Sequence, residues 1–116
     1  MITLYGIPNC DTVKKARACL TEHGVEHGFH DFKKQGVPVP GIDVWLAAVG
    51  WEALINRKGS AWRGLDDATK ASVVDAASAR DLALAWPSVI KRPVMEWADG
   101  TVTVGFSPDR FEQQLA

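Results

Sequence analysis

The sequence is poor in cysteine, in surplus charge of either sign and in long apolar runs, and each shortage removes a class of protein. Its only cysteines are Cys10 and Cys19, too few for a disulfide scaffold. They form no Cys-x-x-Cys pair, and no Cys/His spacing suits zinc. His23, His27 and His30 are close in sequence, but His23 and His27 flank a turn at Gly24 and His30 falls in a strand, so no metal site is expected. Thirteen basic residues face 14 acidic ones, for a formal net charge of −1. Electrostatic capture of nucleic acid or an anionic membrane needs a large basic excess or a basic stripe, so neither partner is expected. A balanced total still leaves room for a focused anion site. No stretch approaches the roughly 20 apolar residues of a membrane span. Met1-Ile2-Thr3-Leu4-Tyr5 lacks a basic region followed by an apolar one, so no signal peptide is expected and the cytoplasm is the expected location.

What is present suits one compact domain over residues 1–116, with 47% apolar residues and no repeat, low-complexity segment or linker. Ile2 to Gly6 reads as a strand, broken by Gly6, Pro8 and Asn9. From Cys10 to about His23, Val13, Ala16 and Leu20 recur at helical spacing while Lys14, Lys15 and Arg17 cover the other side. Gly24 suits the helix stop. Val25 to Phe32 reads as a second strand and Lys33 to Pro38 as a loop. Helices are expected over Ile42 to Val49, from Asp66 or Asp67 to Ala76, and from a Ser78 cap to Trp86. Val89 to Trp97 reads as a loop leading into a strand, Ala98-Asp99-Gly100 as a hairpin turn and Thr101 to Val104 as the return strand. Ser107 and Pro108 open a short terminal helix. The order β-α-β, a helical middle over about 40–87, then β-β-α gives an α/β fold with a mixed sheet: the first two strands parallel, the last two antiparallel.

Cys10 sits where the first strand hands over to the first helix. Free N–H groups and the helix dipole converge there and favour a thiolate, which is the nucleophilic form. Lys14, one turn along, is placed to assist the anion, and Asp11 opposes it. Cys19 lies nine residues further, about 13 Å along the helix and on its opposite side. A disulfide requires Cα atoms within about 7 Å, so Cys10 has no resolving partner in the chain and depends on an outside thiol. Cys19 reads as a small, partly buried apolar residue. The five tryptophans, Trp45, Trp51, Trp62, Trp86 and Trp97, read mostly as core or boundary residues, with Trp51 and Trp62 as the candidate exposed pair.

Three stretches carry a resemblance. They are Thr3-Leu4-Tyr5-Gly6-Ile7-Pro8-Asn9-Cys10-Asp11-Thr12-Val13-Lys14-Lys15-Ala16, Leu54-Ile55-Asn56-Arg57-Lys58-Gly59-Ser60-Ala61-Trp62-Arg63, and Ile90-Lys91-Arg92-Pro93-Val94. In order and spacing they resemble the ArsC/Spx (arsenate reductase-like) family, with the YffB-like branch the nearest match. The resemblance implies a thioredoxin-like fold with a helical insertion. It implies Cys10 as the catalytic residue, Lys14, Arg57 and Arg92 as substrate- or anion-binding residues, and Pro93 as a cis-proline beside the site. Read without it, Arg57 is a solvated loop arginine and Arg92 a strand-edge charge. Two features depart from the family. Phe106 stands nearest to the place where glutathione-linked arsenate reductases carry a third arginine, and Val13 replaces the second cysteine of the Spx switch.

The reading that follows is a glutathione-dependent thiol reductase with one nucleophilic cysteine. It has no bound cofactor, and glutathione or another small thiol is the co-substrate. Arsenate reduction linked to glutathione and glutaredoxin is the alternative within the family. A regulator that binds RNA polymerase, as Spx proteins do, is the alternative of another class.

Overall fold

A computed structural model describes all residues from Met1 to Ala116. In chain order the elements are β1 (Ile2–Gly6), α1 (Asp11–Glu22), β2 (His27–Asp31), α2 (Phe32–Gln35), α3 (Val39–Val49), α4 (Trp51–Leu54), α5 (Ser60–Arg63), α6 (Asp67–Ser72), α7 (Ala76–Ala85), a 3-10 turn (Pro87–Val89), β3 (Val94–Glu96), β4 (Val102–Val104) and α8 (Pro108–Leu115). They divide into two compact units. One joins Met1–Gln35 to Arg92–Ala116, and the other is Gly36–Lys91.

The first unit is a thioredoxin-like mixed sheet in the order β2-β1-β3-β4. β1 and β2 run parallel, while β1–β3 and β3–β4 are antiparallel. Strand alternation sends Ile2 and Leu4 to one face, where Val13, Ala16 and Leu20 of α1 meet them with Met95, Trp97 and Phe111. All eight of these residues are buried. β1 and α1 approach closely at Gly6: a Cβ there would lie 2.7 Å from a Val13 methyl, so only glycine fits without a shift. α1 ends in a Schellman motif. Val25 N–H donates to the Leu20 carbonyl and Gly24 N–H to that of Thr21, both at 2.9 Å, with Gly24 at φ 67°.

The late hairpin turns at Ala98-Asp99-Gly100, where Gly100 takes φ 89° and the Asp99 carboxylate accepts the Thr101 N–H at 2.9 Å. Between its strands the Trp97 indole N–H donates to Thr103 Oγ1 at 2.9 Å, and both residues are buried. Thr103→Val keeps the shape and orphans that N–H. The expected loss is about 1–3 kcal/mol, the usual cost of an unsatisfied buried donor. Urea titration checks it, and a loss under about 0.5 kcal/mol would show that the indole finds another partner.

The second unit is helical. Ile42, Trp45, Leu54, Ala79, Leu82 and Ala83 are buried on α3, α4 and α7. Three local expectations are corrected. Lys33–Gln35 is the end of one-turn helix α2, nucleated by Asp31, whose carboxylate accepts the Lys33 N–H at 2.8 Å. The helix capped at Asp66 stops at Ser72 and does not reach Ala76, because Val73 is buried in extended geometry. The next helix is capped by Asp75, and Ser78 is its partner at the third position in a reciprocal capping box. Of the tryptophans, Trp86 is the exposed one at 59%, while Trp51 and Trp62 are half-buried.

Asp66, Asp75 and Asp99 each accept hydrogen bonds, from Thr69, Ser78 and Thr101, which hold their carboxyls below the ordinary 3.8. The folded values lie below the unfolded ones, so their contribution is complete above the unfolded value and is lost as pH falls through the folded values. The unfolding midpoint should therefore drop as pH is lowered from about 5 to 2. Asp75→Asn, which keeps the cap and removes the charge, should flatten that slope. An unchanged slope across this variant would remove Asp75 as a contributor.

Candidate active site

The site residues on the first unit are set by the sheet register. Gly6 ends β1 beside Asp31, which ends β2. On the other side Tyr5 faces Val94, the first residue of β3, and Val94 faces Val104, the last residue of β4. The loop from Gly6 to Cys10, the Arg92–Pro93 entry to β3 and the Gly105–Phe106 exit from β4 therefore all lie at one end of the sheet. Gly105 N–H donates to the Pro93 carbonyl at 2.9 Å, joining the last two. The Arg92–Pro93 peptide bond is cis.

Cys10 is the N-cap residue of α1, in extended geometry, and its carbonyl accepts the Lys14 N–H at 2.9 Å. Its side chain makes no capping hydrogen bond. The thiol is free, partly exposed and packed on the edge of the Leu4–Val13–Phe111 core. An N-cap side chain is the one that ordinarily accepts from the first-turn N–H groups.

Lys14 is exposed one turn into α1, and Arg92 is half-buried directly before Pro93. Arg57 belongs to the second unit. There its guanidinium lies 3.5 Å from Glu52 and 5.5 Å from the centre of the Trp51 ring. Cys10, Lys14, Arg92 and Pro93 thus belong to the first unit and Arg57 to the second.

Cys19 is a different kind of cysteine. It is partly buried near the far end of α1, with Sγ 3.8 Å from His23 Nδ1, and that nitrogen lies 2.8 Å from the Cys19 carbonyl oxygen. Burial, then the carboxylates of Glu22 and Glu112, push its thiol up. His27 and His30 both lie in β2, and His30 packs against Tyr5 with ring centres 5.1 Å apart.

Sequence reasoning missed two features. The Tyr5 hydroxyl donates to Glu96 Oε1 at 2.7 Å, and burial together with that carboxylate raises the phenol, so Tyr5 remains a donor. Alternation along β1 could have placed Tyr5 opposite Leu4, but a partner 91 positions away carries no local signal. Asp31, a buried carboxylate at the same end of the sheet as Cys10, was the second. Elsewhere, in the second unit, a recess of about 550 Å³ is lined by Ala61, Leu65, Trp86 and Val89 among others.

No helix of the chain is long and apolar enough to cross a membrane. The sequence matches the model of the ArsC family over residues 5–114. An uncharacterised protein of Haemophilus influenzae is 37% identical over 116 residues, all of both chains. A solved structure of a protein named YffB is 47% identical, covers all of both chains and superposes with a TM-score of 0.93. The structure of an arsenate reductase (ArsC) related protein from Brucella melitensis is 50% identical over 97% of this chain and 92% of that one, with a TM-score of 0.75. With its mixed sheet, its cysteine at the head of α1 and a match across nearly its whole length, the chain belongs to the ArsC family, in its YffB-like branch.

Proposed function

We propose that the protein is a glutathione-dependent thiol reductase in which Cys10 is the only nucleophile. The observation that carries this reading is the placement of Cys10: N-cap of α1, partly exposed, with a side chain free of any capping bond. The Cys10 thiolate attacks the glutathionyl sulfur of a mixed disulfide between glutathione and a substrate thiol. The S–S bond breaks, the other sulfur leaves as a thiolate and takes a proton from solvent, and Cys10 is left in a mixed disulfide with glutathione. A second glutathione thiolate attacks that bond, releases oxidised glutathione and restores Cys10. Net, the mixed disulfide and one free glutathione become the reduced substrate thiol and oxidised glutathione.

Lys14, one turn along α1, and Arg92, directly before Pro93, are two cations of this unit near Cys10 in sequence or register. A glutathione carboxylate suits the planar guanidinium fork of Arg92 and the point charge of Lys14. Intact-mass spectrometry after treatment with oxidised glutathione tests the proposal. One glutathionyl group on Cys10 supports it; modification of Cys19 with Cys10 untouched overturns it.

The name of the Brucella relative favours one other reading, arsenate reduction. It shares Cys10 but requires a pocket for a tetrahedral anion. Coupled turnover with arsenate, glutathione and glutaredoxin distinguishes it from simple thiol exchange.

A further inference from the structure

One aromatic side chain stands at the same end of the sheet as Cys10 and on the same face. Its end is set by register, since Phe106 follows Val104 by two residues and Gly105 is hydrogen-bonded to Pro93. Its face is set by packing. Cys10 and Phe106 both lie partly buried against the core cluster that contains Leu4, Val13 and Phe111. Phe111 holds the Phe106 ring edge-to-face, with centres 4.8 Å apart and planes at 85°. The ring is only half-buried, so part of it stays accessible. A phenyl group carries no hydrogen-bond donor and no charge. It gives a hydrocarbon substituent something to bury against and offers a small inorganic oxyanion no charge or hydrogen bond.

We infer that Phe106 is a specificity-determining residue of the Cys10 site: its ring is an apolar wall that selects organic mixed disulfides of glutathione whose other thiol carries an apolar group. The inference rests on the thiol-exchange reading above. Cys10 attacks the glutathionyl sulfur, the S–S bond breaks, and the apolar thiol leaves past the ring as a thiolate that solvent protonates. A second glutathione then restores Cys10 and leaves as oxidised glutathione, so the electrons balance as before.

The test uses the full chain and two probes, the mixed disulfides of glutathione with benzyl mercaptan and with 2-mercaptoethanol. The wild-type ratio is read first and needs no variant. The benzyl probe should show a kcat/KM at least about tenfold higher, the scale on which an apolar pocket separates substrates. Phe106→Ala should bring the ratio to within about twofold by raising KM for the benzyl probe alone, and Phe106→Leu should recover part of the preference. Thermal midpoints of both variants report any folding defect, which would lower both probes together. Equal rates for the two probes in the wild type, or an equal loss for both in Phe106→Ala with an unchanged thermal midpoint, would overturn the inference and leave thiol exchange standing. No reaction of Cys10 with either probe would remove both.

Discussion

Cys10→Ser should take up no glutathione from oxidised glutathione and should turn over no mixed disulfide, while Cys19→Ser behaves as wild type. The contrast follows from where the two sulfurs lie. Cys10 caps α1 with an unengaged side chain and partial exposure. Cys19 lies nine residues on, about 13 Å along the helix axis, where burial and two glutamates oppose its ionisation. A thiol held in its neutral form is a poor nucleophile, so Cys19 does not replace Cys10 when Cys10 is removed. Nor can it resolve a mixed disulfide on Cys10 while the helix is intact, because the bond requires Cα atoms within about 7 Å. The wild-type chain should therefore accumulate the Cys10 adduct until a second glutathione arrives. An internal Cys10–Cys19 disulfide in the oxidised protein would contradict this account.

Phe111→Ala should remove about 3–5 kcal/mol of stability, the range for truncating a fully buried phenylalanine. Phe111 is 0% exposed and is the one buried core residue of α8. Two rings meet it edge-to-face: Trp97 at 4.9 Å and 88°, and Phe106 at 4.8 Å and 85°. Such pairs add to plain area burial, and neither partner can move in to fill the hole without leaving its own contacts. A domain of this size has about 5–15 kcal/mol in total, so the variant should be partly unfolded near 37 °C. Phe111→Leu should cost markedly less. Urea midpoints decide, and a loss below about 2 kcal/mol for the alanine variant would mean that α8 is a marginal part of the core.

Legibility in the sequence tracked how local the deciding interaction is. β1, α1 and the hairpin were readable because each carries its own punctuation: Gly6-Ile7-Pro8-Asn9 between strand and helix, Gly24 after the helix, Asp99-Gly100 at the turn. Ser107 and Pro108 opened α8 as expected, with the Ser107 side chain accepting the Arg110 N–H. The boundary between α6 and α7 was not readable, since Asp75 and Ser78 are both good caps, and the end of α6 is set by Val73, which is buried in extended geometry. Cys10 was visible from its place between strand and helix. The cis geometry before Pro93 rested on family resemblance, because nothing in Lys91-Arg92-Pro93 itself calls for it. Arg57 was named on family resemblance alone, and within its own unit its guanidinium lies against Glu52 and Trp51.

The sheet has its centre drawn from opposite ends of the sequence. β1 precedes the helical unit in the chain, but its antiparallel neighbour β3 begins at Val94, and the unit closes only with Phe111 on α8. The helical unit, Gly36–Lys91, is continuous and has all its residues available earlier during synthesis. While the chain is being made, then, Cys10 leaves the ribosome some 80 residues before the strand that completes its surroundings. Pairings so far apart in sequence are also the slow ones to form. The reactive thiol acquires its site last, although it is made before the strands that complete that site.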